Sequence, residues 1–260
     1  YTVVNPNANL VGTDVVRSIQ RFAIDDLRNP YLNHASLGYE RLLTHDLKVG
    51  VTGVVRRGHN QPSSDAVTVS PVEVLQVQRT KGRLTYNGIE LTLQKAYRNR
   101  WEGLVSYTGG KARDDASGIL SPLQRRFSYG PADYDQRHTF TGTGTVLFPG
   151  EVRFTSLVRA ASGRPFSILN NLPTIDAAYV TRDGVVTGRN QERQPVNLTV
   201  DMTIGREFGA PGHRVRVFGQ VINATNRVNV IAVSTARATA GAPTNVDIPR
   251  QIQFGVEFRH

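Results

Sequence analysis

The chain has 260 residues, with 31 Lys+Arg against 21 Asp+Glu for a formal net charge of +10, and no cysteine. At 39% hydrophobic and 20% charged it carries enough apolar material for a folded domain, and the absence of Cys excludes disulfides and Cys-ligated zinc or iron–sulfur centres. No apolar run approaches the roughly 18–20 residues of a spanning helix, but spanning β-strands need only about 9–11 residues of alternating character.

The opening segment, "YTVVNPNANLVGTD", has no basic region followed by an apolar core, so it is not a signal peptide. The protein is then either not exported or an internal piece of a longer chain. Residues 1–34 read as a long loop or lead-in, with only Val15 to Phe22 able to form a short strand or helical turn. From there period two takes over, and nine strands are expected at about 35–44, 47–58, 84–97, 99–113, 136–148, 151–166, 195–208, 213–226 and 249–260. The pattern is cleanest in the last three-fifths. Phe140, Gly142, Gly144, Val146 and Phe148 alternate with a row of threonines; Val152, Phe154 and Val158 stand opposite Arg153, Thr155 and Arg159. Val196, Leu198, Val200, Met202 and Ile204 alternate with Asn197, Thr199, Asp201 and Thr203, and Ile252, Phe254, Val256 and Phe258 with Gln253, Gly255, Glu257 and Arg259. Short turns are expected at 43–46, 97–100, 148–150 and 209–212, and long polar connections at 59–83, 114–135, 167–194 and 227–248. Short and long connections alternate, which puts all the long ones at one end of an up-and-down meander. Loops longer than about 12–15 residues are uncommon in compact soluble domains, whereas short periplasmic turns and long extracellular loops are the habit of outer-membrane barrels. The expected fold is an all-β, antiparallel, up-and-down transmembrane barrel segment that is incomplete.

Six stretches carry a family resemblance: "RNPYLNHASLGYERLL", "YNGIELTLQKAYRNRWEGLVSYTGGKARDD", "YGPADYDQRHTFTGTGTVLFP", "SLVRAASGRPF", "FGQVINATNRVN" and "RQIQFGVEFRH". In this order, over about 28–260, they resemble the C-terminal half of TonB-dependent outer-membrane receptors, of the Oar-like branch that carries a carboxypeptidase-regulatory-like domain. The resemblance implies a barrel of about twenty-two strands plugged by an N-terminal domain, importing a bound substrate with energy relayed by TonB. Residues 35–260 then read as the C-terminal strands of that barrel, whose partners are outer-membrane lipid, the barrel-assembly machinery, the remaining plug and strands, the TonB complex and a substrate of unknown identity. It also implies that the last strand is an assembly signal, which Gln253, Gly255 and Phe258 fit; His260 stands where such proteins usually carry Phe.

No catalytic constellation stands out, and no cofactor is expected. His34, His45, His59, His138, His213 and His260 are scattered without metal-ligand spacing. The apolar row of Val196, Leu198, Val200, Met202, Ile204, Ile252, Phe254, Val256 and Phe258 is expected to face lipid. Tyr97, Trp101, Phe148 and Phe208, all beside short turns, are expected to form an interfacial belt. Lys48, Arg153, Arg159, Arg164 and Arg216, with Arg206 and Arg214, fall mostly on the polar rows that would line the lumen. They would either attract an anionic substrate or be solvated charges partly paired with Glu90, Glu102, Asp201 and Glu257; the second reading is preferred. The function expected is that of an outer-membrane transport component rather than an enzyme. A non-transporting structural or adhesive outer-membrane barrel is the alternative, followed by a soluble basic β-protein that binds nucleic acid. Nucleic acid is not an expected partner, because the basic residues are spread without a stacking platform.

Overall fold

The computed structural model describes residues 19–24, 27–70, 73–115, 119–170, 178–210 and 213–259. Ten strands carry the architecture: β1 (Ile19–Ile24), β2 (Tyr31–Leu42), β3 (Leu47–Ser70), β4 (Glu73–Arg98), β5 (Trp101–Asp114), β6 (His138–Phe148), β7 (Val152–Ala161), β8 (Asn197–Ala210), β9 (His213–Ile222) and β10 (Gln251–Arg259). Nine of them form a single antiparallel meander in the order β10-β9-β8-β7-β6-β5-β4-β3-β2. All nine correspond to strands expected from the period-two pattern. Among the described residues β2 and β10 do not pair, so the sheet is open, with one free edge on each. None of the described helices is long and apolar enough to cross a membrane.

The tight turns at 43–46, 97–100 and 148–150 are where the sequence places them, and residues 211–212 of the turn expected at 209–212 lie outside the described residues. At the β4–β5 corner Asn99 and Arg100 both have positive φ (55° and 69°), as the central pair of a type I′ hairpin turn requires. β5 therefore starts at Trp101 rather than at 99.

The main departure lies at 59–83. The sequence reads as a loop there, because Gly58, Asn60, Pro62 and Gly82 break the alternation. Instead β3 and β4 continue through it as 24- and 26-residue strands, more than twice what a membrane crossing needs. The breakers are absorbed by register shifts between Gly58, Gln61 and Ser63, with Asn60 at φ 55°. β-bulges exist to accommodate such residues. β5 reaches only to Leu84 of β4 at Asp114, and β1 occupies the edge of β4 beyond it, paired parallel to Glu73–Gln78. Residues 19–24 are thus a strand within what read as lead-in, and β2 starts at Tyr31 rather than at 35.

The other three long connections contain short paired pieces. A capped helix, Pro122–Arg126, follows Ser121, whose hydroxyl accepts from the Gln124 N–H at 3.0 Å. Ile168–Leu169 pairs with Tyr179–Val180, Pro165–Phe166 with Glu192–Arg193, and Val230–Val233 with Pro243–Val246. These loops share an apolar nucleus: Phe166, Ile168, Ala178, Val180 and Ala240 are buried, with Leu123 and Val233 against them. This packed cluster lies in the loops, while Val54, Ala66, Val77 and Ala112 are buried on the strands.

Candidate functional site

Residues directly opposite each other in an antiparallel pair share a face, so the register carries each face across the sheet. One row runs Tyr39, Val51, Leu91, Tyr107, Phe140, Ala160 and Leu198. Nearer the short turns a second runs Val146, Phe154, Ile204, Gly219 and Phe254. On the opposite face Glu102, Thr145, Thr155, Thr203, Gln220 and Gln253 line up, with Thr145 and Thr155 sharing a hydroxyl hydrogen bond of 3.1 Å. One face of the wall is apolar and the other polar along its whole width. The apolar face is uncovered: Leu37 is 84% exposed and Phe254 85%. A contiguous apolar surface of this extent is not tolerated in water.

Leu198, Val200, Met202, Ile204, Ile252, Phe254, Val256 and Phe258 all fall on the apolar face. Val196 lies just before β8 and is exposed. Trp101 opens β5, Phe148 closes β6, and Tyr97 and Phe208 lie near the short-turn ends of β4 and β8; all four are exposed. Beside them Lys95 pairs with Asp46 of the β2–β3 turn, and its ammonium stands 4.6 Å from the Trp101 ring centroid. At this turn the Asp46 carboxyl is held below its usual range, chiefly by the hydrogen bond from Lys95.

The basic residues divide. Lys48, Arg153, Arg159, Arg214 and Arg216 are on the polar face. Lys48 pairs with Glu40 (3.1 Å), Arg214 with Glu207 (3.4 Å) and Arg216 with Glu257 (3.6 Å). Among the described residues Arg153 and Arg159 make no ion pair. Arg206 belongs to the other face, opposite Val152 and Val217. It sits near the short-turn end with its guanidinium 4.8 Å from the Phe208 ring centroid, the arrangement of a cation reaching from an apolar surface toward water. Arg164 is not on a strand, because β7 ends at Ala161; it is exposed in the loops, where its carbonyl accepts from the Gln194 N–H at 2.9 Å. Asp201 accepts from the Asn223 N–H (2.9 Å).

Gly255 owes its place to packing. A Cβ there would collide with the ring of Phe218, and a Cβ at Gly205 would meet the Phe218 Cβ. A Cβ on Gly142 would likewise stand 3.3 Å from the Phe140 ring. Gln253 faces Gln220 and Phe258 faces Val215; His260 lies outside the described residues.

Sequence reasoning missed the polar joints that tie the loops to the strand ends. Arg189 is buried and pairs with Asp114 at the end of β5 and with Asp133 (3.2 Å). Asn190 Nδ2 donates to the Pro131 carbonyl (2.8 Å) and to Asp133 (2.6 Å). Arg193 pairs with Asp135, which also accepts from the Ala112 N–H at 2.7 Å. Asn223 and Asn229, both buried, bracket the loop after β9. Asn223 Nδ2 donates to the carbonyls of Arg227 (3.0 Å) and Ile248 (3.2 Å); Asn229 bonds both backbone groups of Leu198 (2.8 and 2.9 Å). The signal was present as unmatched charge: "YGPADYD" is acid-rich and "GRNQER" basic, but nothing local says that they meet. Burial raises the Asp114 carboxyl above its ordinary value against the pull of Arg189, and burial raises the Tyr179 phenol.

Comparison with solved structures finds this wall within outer-membrane transporters. The chain superposes on the outer membrane transporter YddB from Escherichia coli with a TM-score of 0.65 at 12% identity, covering 94% of this chain and 34% of that one. The FrpB iron transporter from Neisseria meningitidis gives 0.59 at 14% identity, covering 92% and 32%. The ferric-catecholate import receptor Fiu from E. coli gives 0.58 at 12%, covering 90% and 28%. The chain thus spans about a third of the length of these structures, and at such identities the likeness is one of fold. No curated protein matches the sequence. The family model of the outer membrane beta barrel domain matches residues 2–182. That match explains an uncovered apolar face on an antiparallel meander: the chain belongs to the outer membrane beta barrel domain family, and its place is the bacterial outer membrane.

Proposed function

We propose that this chain is the C-terminal part of the barrel of a TonB-dependent receptor of the Oar-like branch, which binds a substrate outside the cell and imports it. The observation that carries the reading is the open wall: among the described residues, a nine-stranded meander with two free edges, one face apolar and the other polar. Unpaired backbone in lipid costs several kcal/mol per group, so further strands must join β2 and β10. On this reading the apolar row faces lipid, the exposed aromatics near the short turns form the periplasmic belt, and Arg153 and Arg159 add positive charge to the lumen. The packed loops stand at the outer mouth, where substrate capture takes place, and the terminal strand is presented to the barrel-assembly machinery. Likeness to transporter structures over about a third of their length supports this reading.

The reading frame on either side of this segment tests it. A plug domain and about thirteen more strands in the same frame, as a twenty-two-stranded importer requires, are expected. A frame that closes the barrel without a plug would overturn import and leave a structural or adhesive barrel.

A further inference from the structure

Glycines open the apolar face at two places toward the short turns. Gly103 and Gly144 lie opposite each other, in a hollow of about 220 Å³ lined by Leu93, Trp101, Val105 and Val146. Gly219 lies between Ile204 of β8 and Phe254 of β10, and a hollow of about 460 Å³ opens there among Ile204, Val217, Phe254 and Val256. Each hollow has one basic residue in its lining, Lys95 in the first and Arg206 in the second. Lys95 is engaged by Asp46. Arg206 is not engaged in this way.

Every neighbour of Arg206 on its own face is uncharged: Val152 and Val217 opposite, Ile204 and Phe208 along the strand, Phe154 and Val215 on the diagonals. The carboxylates nearest in register, Glu151 and Glu207, line a hollow of the polar face with Arg153 and Arg216. Among the described residues Arg206 makes no ion pair. It is exposed, and stacking on Phe208 holds its planar fork toward the aromatic level. At about 3.4 Å per residue and a tilt near 40°, Arg206 stands roughly 5 Å inside the level of Phe208, and the Ile204–Gly219–Phe254 row roughly 10 Å inside it. Both depths fall within one leaflet, half of a hydrocarbon core about 30 Å thick. The guanidinium thus reaches the level of lipid phosphates, for which its donor geometry is suited, and the apolar hollow lies beside the acyl chain below such a phosphate. Its volume is roughly fifteen water volumes, room for a segment of one chain.

We infer that Arg206 and the hollow at Gly219 form a site for one anionic diacyl phospholipid of the periplasmic leaflet, its phosphate on the guanidinium and an acyl chain in the hollow. The inference rests on the reading of this face as the lipid face and of the short turns as periplasmic. It does not depend on import.

The test uses the full-length protein in maltoside micelles and a phosphatidylglycerol with a diazirine midway along one acyl chain, its photo-adducts mapped on peptides. Adducts at Val217 and Val256 read the site; adducts at Leu93 and Val105, in the hollow whose cation is engaged, are the reference. Unlabelled phosphatidylglycerol and the diacylglycerol of the same chains compete. In wild type the adducts at 217 and 256 should exceed the reference, and phosphatidylglycerol should displace them at a concentration about fivefold or more below that of diacylglycerol, a preference of about 1 kcal/mol or more. Arg206→Gln should bring the two competitors together, and Gly219→Leu, which fills the hollow, should lower the adducts to the reference level. Equal competition in wild type, an unchanged preference in Arg206→Gln, or undiminished adducts in Gly219→Leu overturns the inference. Adducts at the reference positions alone overturn the phospholipid site and leave the lipid face standing; adducts at neither place overturn both. If Gly219→Leu loses the heat-modifiable band of a folded barrel, Arg206→Gln, on an exposed side chain, decides under the same criteria.

Discussion

Arginine placed on alternate residues of β8 separates the two faces energetically. Met202 lies on the apolar face, opposite Ser156 and Val221 and flanked by Val200 and Ile204; Thr203 lies on the polar face, opposite Thr155 and Gln220. Met202 is about six residues from Phe208 of the proposed aromatic belt, or roughly 20 Å along the strand and about 15 Å along the normal at a tilt near 40°. That is half of a hydrocarbon core about 30 Å thick, so Met202 sits close to the midplane. Met202→Arg should therefore cost about 2–4 kcal/mol of folding free energy in lipid, a factor of roughly 30 to 1,000 in the folded-to-unfolded ratio. Thr203→Arg projects into water and should cost within about 0.5 kcal/mol. Reversible urea titration of the full-length protein in phospholipid vesicles reads both. Equal costs, or the larger cost at Thr203, would refute the assignment of faces.

Three further outcomes follow from the loops and the terminal strand. Arg189→Met strands the half-buried Asp114; removing one partner of a buried pair costs about 3–5 kcal/mol, so hydrogen exchange in 127–135 and 186–194 should quicken while the strands stay protected. The Asp133 pair contributes little to this, because Asp133 is 79% exposed. Asp114 has a raised carboxyl pKa, so it takes up a proton more readily folded than unfolded, and its charge weighs against the loop layer above that pKa. As pH falls from neutral toward its ordinary value, Asp114 should tighten the loops; loop exchange that quickens over this window and is abolished by Asp114→Asn would contradict that. Gly255→Val should slow assembly of heat-modifiable barrel by driving its side chain into the Phe218 ring, an overpacking cost of about 1–3 kcal/mol, and Phe218→Ala should restore much of the rate.

The strands were legible because a barrel wall has no deep core: each position is set by one local choice, lipid or water, and that choice repeats with period two. Thr139 to Phe148 declare their faces without reference to any other part of the chain. The 59–83 hairpin was not legible, since Pro62, Asn60 and Gly82 signal a loop and only the bulges that absorb them restore the ladder. Arg206 was misplaced because charge was taken as a mark of the polar face, whereas at the end of a strand an arginine on the apolar face can lay its guanidinium over Phe208 and reach water. The loop layer stayed hidden for a different reason. Arg189 meets Asp114 across 75 residues and Arg193 meets Asp135 across 58, and no local pattern encodes such pairings.

The most direct test of the account is a single-cysteine scan of residues 198–206 in the full-length protein, which the absence of native cysteine in this segment favours. Each position carries a nitroxide in reconstituted membranes, and its collisions with oxygen and with a water-soluble nickel complex are compared. The account predicts a period of two, with 198, 200, 202 and 204 oxygen-accessible and 199, 201, 203 and 205 nickel-accessible. A scan without alternation, or with the phase reversed, would contradict it.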